Sequence, residues 1–201
     1  MPVISKYDTK DYPPLILCGP SGVGKSSLIK RMMEDFPNSF GFSVSHTTRA
    51  PRGQEVNGVE YYFVTREEME KDIAEGKFIE HAIVHNNIYG TSFESVMKVV
   101  ENKKICILDI DVQGVQQVMK SGMKAEYVLI KPPSFEELER RLRGRGTDSE
   151  ESIQVRLRNC KYELEMGEKL NIPHVIVNDN FDKAYEELRR IILPIIQHQN
   201  V

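Results

Sequence analysis

The sequence predicts an α/β fold in which helices cover both faces of a parallel sheet. Two observations support this. A glycine-rich motif at residues 19–26 lies between an apolar run and a stretch with apolar residues at helical spacing. Farther along, strand patterns alternate with helical patterns, the order typical of parallel sheets. Residues 42–92 instead carry short strand patterns and turns in succession, which predicts a small mixed, mostly antiparallel insert. Residues 1–41 and 93–201 then form the core.

Before the insert, Leu15 to Cys18 form an apolar run that predicts a buried strand. The helix that follows the glycine motif is expected to stop near Pro37, because the residue before a proline disfavours the helical conformation.

Within the insert, residues 42–45 and 61–64 have strand patterns. Thr65 and Glu68 have capping-box spacing and predict a short helix that ends at Gly76. The runs that remain predict a hairpin, with strands at 78–84 and 88–90 around a turn at 86–87.

After the insert, the predicted elements are helix 92–100, strand 105–108, helix 112–119, strand 127–130, an arginine-rich helix opened by a capping box at Ser134 and Glu137, helix 149–170, strand 175–177 and a last helix from residue 182.

Composition limits the classes of function. The chain has 201 residues, of which 28% are charged and 40% hydrophobic, as in a soluble globular protein of one domain. A net charge of −3 argues against a general nucleic-acid binder. No apolar run approaches the roughly 20 residues that cross a bilayer, and the first residues lack a signal-peptide core. We therefore expect a cytoplasmic protein with no membrane or nucleic-acid partner, in which Cys18, Cys106 and Cys160 are buried thiols.

The glycine motif matches the phosphate-loop (P-loop) pattern G-x-x-x-x-G-K-[ST]. Its members are Gly19, Pro20, Ser21, Gly22, Val23, Gly24, Lys25 and Ser26. Glycines allow the tight turn that points backbone N–H groups at an anion, and the following helix adds the partial charge of its N-terminus. Lys25 can bridge the β- and γ-phosphates of a nucleotide, and the Ser26 hydroxyl can bind Mg²⁺. A glycine-rich turn with an incidental lysine is the alternative.

Two acidic residues, Asp109 and Asp111, follow the apolar run 105–108. Ligands of parallel α/β folds bind beyond the carboxyl ends of the strands, where the phosphate loop also lies. Either carboxylate could face the Mg²⁺ of a bound nucleotide. The alternative is a cap of the next helix.

Arginines crowd the segment 140–145, where glycines interrupt the predicted helix, and Arg156 follows on the next helix. The pattern predicts a mobile lid at 139–160 whose arginines close on phosphates. Charge runs are more often solvated helix faces, and we expect this for Arg140 and Arg143.

The insert carries candidate groups for a second anion. Arg49 and Arg52 lie in a polar loop, and arginine forks suit phosphate. Tyr61, Tyr62 and Tyr89 could each give a hydroxyl to the same anion, although core packing is favoured for Tyr62.

Glu80 lies in an otherwise apolar strand and is expected beside Thr91 across the hairpin. A carboxylate there suits two adjacent donors, and guanine offers them in its N1–H and N2 amino group. Adenine would present an acceptor instead, and polar sites of this kind discriminate by ~10⁴ or more. An outward-facing glutamate is the alternative.

Six segments together resemble guanylate kinases: GPSGVGKS (19–26), SVSHTTRAPRGQEVNGVEYYFV (43–64), FIEHAIVHNNIYGTS (78–92), ILDIDVQG (107–114), RLRGRGTDSEESIQVRL (141–157) and VIVND (175–179). The resemblance implies a P-loop kinase core, a GMP-binding insert at 42–92 and an arginine-bearing lid. It also implies transfer of the ATP γ-phosphoryl group to GMP with Mg²⁺. Expected partners are ATP and GMP, with dGMP as an alternative acceptor, and the chain is expected to be a monomer or weak dimer.

The resemblance also implies roles for single residues. Those matching ATP contacts are Gly19, Pro20, Ser21, Gly22, Val23, Gly24, Lys25, Ser26, Ser27, Arg141, Arg145 and Asn178, the last near the adenine. Those matching GMP contacts are Ser45, Arg49, Arg52, Tyr61, Glu80, Tyr89, Thr91, Asp111 and Arg156. Catalytic roles fall to Lys25, Arg49, Arg145 and Arg156, and metal binding falls to Ser26 and Asp109. The alternative function is a catalytically inactive, guanylate-kinase-like protein-interaction module. Such modules have damaged phosphate loops, whereas the loop is intact here.

Overall fold

The computed structural model describes Thr9 and residues 11–84, 86–144 and 150–198. Their strands are β1 (Leu15–Cys18), β2 (Phe40–Phe42), β3 (His46–Thr47), β4 (Tyr62–Phe63), β5 (Phe78–Val84), β6 (Asn87–Ser92), β7 (Ile105–Asp109), β8 (Glu126–Lys131) and β9 (His174–Val177). Their helices are α1 (Lys25–Asp35), α2 (Arg66–Ala74), α3 (Phe93–Glu101), α4 (Val112–Ser121), α5 (Phe135–Arg143), α6 (Glu150–Lys169) and α7 (Phe181–His198).

The described residues form two compact units. The first contains Phe40–Leu108 and Gln113–Ala125 with the residues up to Pro14. The second contains Leu15–Ser39, Asp109–Val112 and the chain from residue 126 onward. The predicted insert, 42–92, falls wholly within the first unit, and the phosphate loop falls within the second.

The second unit contains a parallel sheet in the order β1-β8-β9. All four residues of β1 are buried, so both faces of this strand are covered, as in α/β folds whose helices pack on both sides of a sheet. Helix α1 contributes Leu28, Ile29 and Met32 to the core, and α7 packs against both α1 and β9. The predicted α/β fold with a parallel sheet is therefore confirmed.

The first unit contains a four-stranded sheet in the order β4-β3-β6-β5. The β3–β6 and β5–β6 pairs are antiparallel, whereas β3 and β4 run parallel. This confirms a small mixed, mostly antiparallel sheet. Strand β2 belongs elsewhere, because it pairs in parallel with β7.

Several predicted boundaries need correction. Residues 43–45 belong to no strand, because the chain passes here from the β2–β7 pair to the mixed sheet. The capping box of Thr65 and Glu68 is present in full. At Ser134 only half of a box forms. Its hydroxyl accepts from the Glu137 N–H, but the Glu137 carboxylate binds arginines instead.

The three cysteines are free and buried, as expected. Burial raises the pKa of the Cys18 and Cys106 thiols to about 12, so these side chains act as small apolar groups. Among the described residues, no helix combines the length and apolarity needed to cross a bilayer.

Candidate functional site

The phosphate loop connects β1 to α1 in a conformation that depends on glycine. Gly24 precedes α1 with φ of 99°, a left-handed value that side chains disfavour. A Cβ at Gly24 would also overlap the side-chain amide of Asn178. That amide donates to the Val23 carbonyl at 2.8 Å, so a buried residue after β9 holds the loop backbone.

Lys25 is held across the mouth of this loop. Its Nζ donates to the Gly19 carbonyl and lies 3.7 Å from a carboxylate oxygen of Asp109. The ammonium group is thus positioned over the loop whose N–H groups would bind phosphate. This placement suits the predicted role of bridging the β- and γ-phosphates.

A cavity of about 420 Å³ opens at the loop. Its lining combines loop residues, including Lys25 and Ser26, with the carboxylates of Asp109, Asp111 and Glu163. Ser27, a predicted ATP contact, also lines it. Asp111, expected on the guanine side, therefore lies beside the phosphate loop in the second unit. The cavity brings one cation and several oxygen ligands together where a triphosphate would sit.

The oxygen ligands in this cavity fit Mg²⁺. The Ser26 hydroxyl is exposed, and the Asp109 side chain is 34% exposed. Burial raises the pKa of Asp109 and the Lys25 charge lowers it, with burial the larger effect. Among the described residues, no three His, Cys, Asp or Glu side chains cluster as a metal cage. A site of one hydroxyl and one or two carboxylates instead matches Mg²⁺ that takes its other ligands from phosphates and water.

Helix α6 brings Arg156 to the phosphate loop. Its Nη1 donates to the Ser21 hydroxyl at 3.2 Å. One turn later, the Cys160 Sγ lies 3.7 Å from the Ser21 carbonyl oxygen. Arg156 therefore reaches the donor half of the site, across 135 positions of sequence.

Glu163 continues this face of α6 and is not among the site residues predicted from the sequence. Burial raises the pKa of its carboxyl to about 7, opposed by the Lys25 charge. Helical spacing could have indicated Glu163, because positions 156, 160 and 163 are four and three residues apart and share one helix face. A glutamate at this spacing is expected on the same helix face as Arg156, which contacts the loop.

Three other arginines of the predicted lid form ion pairs with glutamates. Arg141 Nε donates to Glu137 at 2.7 Å and does not line the cavity. Arg140 also binds Glu137 and is 75% exposed, as expected of a solvated residue. Arg143 pairs with Glu139 and Glu150. Arg145 lies outside the described residues.

In the first unit, Arg49 is surrounded by aromatic rings. Its guanidinium lies 5.4 Å from the centre of the Tyr61 ring and 5.8 Å from that of Phe63. The Tyr61 and Tyr89 rings meet edge to face at 5.9 Å. Arg52 is exposed on the same loop. The structure thus brings Arg49, Tyr61 and Tyr89 into one cluster.

Glu55 is a second residue of the candidate site that was not predicted from the sequence. It binds Arg49 through two hydrogen bonds, Nη1 to Oε2 at 2.9 Å and Nη2 to Oε1 at 3.0 Å. The bond raises the pKa of Arg49 and lowers that of Glu55. No periodic pattern marks this pair, because both residues lie in an irregular loop.

The predicted base-reading residues are adjacent. Glu80 and Thr91 are direct partners in the β5–β6 ladder. Glu80 is only 7% exposed and Thr91 only 1%, so the alternative of an outward-facing glutamate is wrong. The Ser45 hydroxyl lies 3.4 Å from that of Thr91. Tyr62 instead packs against His46, with ring centres 4.8 Å apart and ring planes tilted by 33°, in keeping with a packing role.

Comparison with known proteins agrees with this geometry. The family model described as "Guanylate kinase" matches residues 11–194. Guanylate kinase 1 of Oryza sativa subsp. japonica is 52% identical over 180 residues, which are 89% of this chain and 47% of that protein. Guanylate kinase of Schizosaccharomyces pombe is 50% identical over 192 residues, 95% of each chain. The chain thus spans about half the length of the rice relative and nearly all of the yeast one.

A solved structure also matches. The crystal structure of guanylate kinase from Anaplasma phagocytophilum has a TM-score of 0.64 and 31% identity, and the match covers 90% of this chain and 84% of that one.

Proposed function

Because the chain belongs to the guanylate kinase family, we propose that it transfers the γ-phosphoryl group of ATP to GMP, giving ADP and GDP. One observation carries the choice of acceptor. Glu80 is buried in the mixed sheet as the direct partner of Thr91, which supports the proposal that this carboxylate and this hydroxyl bind a base together.

The phosphate loop binds the donor, ATP. Its backbone N–H groups and Lys25 bind the β- and γ-phosphates, and Arg156 adds a second cation at Ser21. Ser26 and Asp109 would hold Mg²⁺, which when bound neutralises developing charge on the transferring phosphoryl group.

The insert, residues 42–92, binds the acceptor, GMP. Arg49 and Arg52 bind the GMP phosphate, with hydroxyls from Tyr61 and Tyr89. Glu80 accepts from the guanine N1–H and N2 amino group, while the Ser45 and Thr91 hydroxyls bind acceptor atoms of the base. Adenine would instead set its N1 acceptor against the carboxylate oxygens, and two facing acceptors disfavour its binding.

The reaction needs no general base, because the attacking phosphate oxygen already carries negative charge. The protein has to hold two negatively charged nucleotides, ATP and GMP, in line for phosphoryl transfer. Lys25 and Arg156 neutralise the donor phosphates, and Arg49 and Arg52 neutralise the acceptor phosphate. An inactive interaction module is not favoured, since Lys25 is present and bound to the loop that it serves.

A coupled assay of ADP release tests the proposal. Purified chain is given MgATP and, in turn, GMP, dGMP, AMP, UMP and CMP. We expect turnover with GMP, slower or equal turnover with dGMP, and at least 100-fold lower kcat/KM with the others. Chelation of Mg²⁺ should stop the reaction. Equal activity with AMP would refute the assignment of Glu80 to guanine, and absence of turnover with every acceptor would favour the interaction module.

A further inference from the structure

We infer that Glu55 is a positioning residue, which decides the edge of the Arg49 guanidinium that faces the acceptor phosphate. The inference rests on the proposed function, in which Arg49 binds the phosphate of GMP. It assigns Glu55 a role in acceptor affinity although Glu55 itself is acidic.

The donors of Arg49 can be counted. A guanidinium has five N–H groups in a rigid plane. Glu55 takes one from Nη1 and one from Nη2, and the Ala50 carbonyl takes the other Nη1 hydrogen at 2.7 Å. Glu55 and Ala50 leave the Nε–H and the second Nη2 hydrogen, and Tyr89, itself a candidate phosphate ligand, is also hydrogen-bonded to the Arg49 side chain. These two N–H groups point from the same edge of the guanidinium and form the fork that binds two oxygens of one phosphate.

The aromatic rings hold the Arg49 guanidinium in place but do not choose which of its edges faces a ligand. Its central carbon lies 5.4 Å from the centre of the Tyr61 ring and 5.8 Å from that of Phe63, and the Arg49 side chain is only 11% exposed. Cation–π contact has little directional preference among the N–H groups, so it is compatible with several orientations, each of which would offer a different edge to a ligand. The two-point bond to Glu55 selects one of them, because it pairs the Nη1–Nη2 edge with a carboxylate. The Nε–Nη2 edge is then the one that neither Glu55 nor Ala50 occupies.

Glu55 is itself held by the backbone. Its Oε2 also accepts from the Arg52 N–H at 2.7 Å. The bonds from Arg49 and from this N–H lower the pKa of Glu55, so the carboxylate is ionised at neutral pH. Glu55 thus links the side chain of one candidate phosphate ligand to the backbone of the other. Ordering both before GMP arrives reduces the entropy lost on binding.

The test compares Glu55→Gln with Glu60→Gln. Glu60 lies in the same loop and also accepts a backbone N–H, from Val56 at 2.7 Å, but contacts no arginine among the described residues. For each protein we would measure KM for GMP and for ATP, kcat, the GMP dissociation constant by calorimetry without ATP, and the thermal midpoint. Glu55→Asp keeps the charge but shortens the reach.

We expect Glu55→Gln to raise the KM and dissociation constant for GMP about tenfold or more, with the KM for ATP within twofold of wild type and the thermal midpoint little changed. Glu60→Gln should match wild type. The loss caused by Arg49→Lys should be smaller in the Glu55→Gln background, since both changes remove the same oriented fork.

Three results would overturn the inference. Tighter GMP binding in Glu55→Gln would mean that the carboxylate competes with phosphate. Equal losses for GMP and ATP with a lower thermal midpoint would mean a role in folding alone. Wild-type values in Glu55→Gln would refute positioning while leaving the proposed function intact. A wild-type chain that neither binds nor phosphorylates GMP would refute the proposed function itself.

Discussion

The side-chain amide of Asn178 donates a hydrogen bond to the carbonyl of Val23, 2.8 Å away and 155 positions earlier in the chain. Asn178 follows β9, and its own N–H is bonded to the Lys131 carbonyl at the end of β8. The carboxyl ends of two parallel strands thus support the loop that follows β1. Gly24 makes this possible, because a side chain there would occupy the space of the amide.

Replacement of Asn178 should therefore loosen the phosphate loop. Asn178→Ala leaves the buried Val23 carbonyl without its donor, which costs about 1–3 kcal/mol in the free energy of unfolding. We expect a lower urea midpoint and a higher KM for ATP, with the KM for GMP little changed. Asn180→Ala is a control two positions on, where the side chain only caps α7 through the Lys183 N–H. An unchanged KM for ATP in Asn178→Ala would show that the loop holds its shape alone.

Lys25→Ala should abolish turnover and leave the fold intact. The ammonium group contacts the loop backbone and Asp109 but fills no core space, so its loss removes charge from the phosphates rather than packing. We expect kcat to fall by at least about 100-fold with an unchanged circular dichroism spectrum. Lys30→Ala, at an exposed position of α1, is the matched control. Retained activity in Lys25→Ala would remove this residue from the proposed mechanism.

Arg156→Ala should lower kcat by about 100-fold or more, because a cation near the transferring group is lost. Arg158 is exposed on the same helix, two positions away and on a different face, and Arg158→Ala should behave as wild type. The measurement is steady-state kinetics with ATP and GMP both varied. If the two variants lost activity equally, overall charge rather than contact with Ser21 would be responsible.

Glu80→Gln should weaken GMP far more than ATP. The amide keeps the size of the side chain but replaces one acceptor oxygen by a donor that opposes the guanine N–H groups. We expect the KM for GMP to rise about 10- to 100-fold, the loss typical of a hydrogen bond to a charged group. Glu101→Gln, exposed at the end of α3, serves as control. An equal effect on both substrates would place Glu80 outside the base site.

His46 should make the stability of the chain depend on pH. Its ring packs between Tyr62 and Phe78, and its Nδ1 is buried with no hydrogen-bond partner among the described residues. Burial lowers its pKa from the ordinary 6.5, and Lys98 adds to this, against opposing effects of Asp72 and Glu94.

Between the lowered pKa and 6.5 the unfolded chain binds more protons, so stability is complete above about pH 6.5 and falls as the pH decreases through the folded-state pKa. Urea unfolding between pH 5 and 8 should show this loss in wild type and a smaller one in His46→Phe. Parallel curves for the two proteins would contradict the prediction.

Much of the candidate site was predictable, because many of its functional residues lie in short sequence motifs with characteristic spacing. The phosphate loop is contiguous, so its spacing alone places Lys25 and Ser26 at a helix N-terminus. Glu80 and Thr91 were predictable as neighbours, because a short hairpin fixes which residues of its two strands face each other. Strand 42–45 was wrong for the opposite reason, since nothing local shows that the chain changes sheets there.

Local patterns were enough to predict the α/β class, the mixed insert, Asp109 at the end of β7 with Asp111 just beyond it, and the lysines and arginines available as cations, because periodicity and motif spacing act over a few residues. Tertiary structure decided what those residues contact. Asn178 reaches Val23 and Asp111 lines the phosphate cavity, since parallel strands bring distant segments to one edge. Arg156 reaches Ser21 because of where helix α6 packs. Glu55 binding Arg49 was likewise decided by the path of an irregular loop, whose backbone no repeat in the sequence specifies.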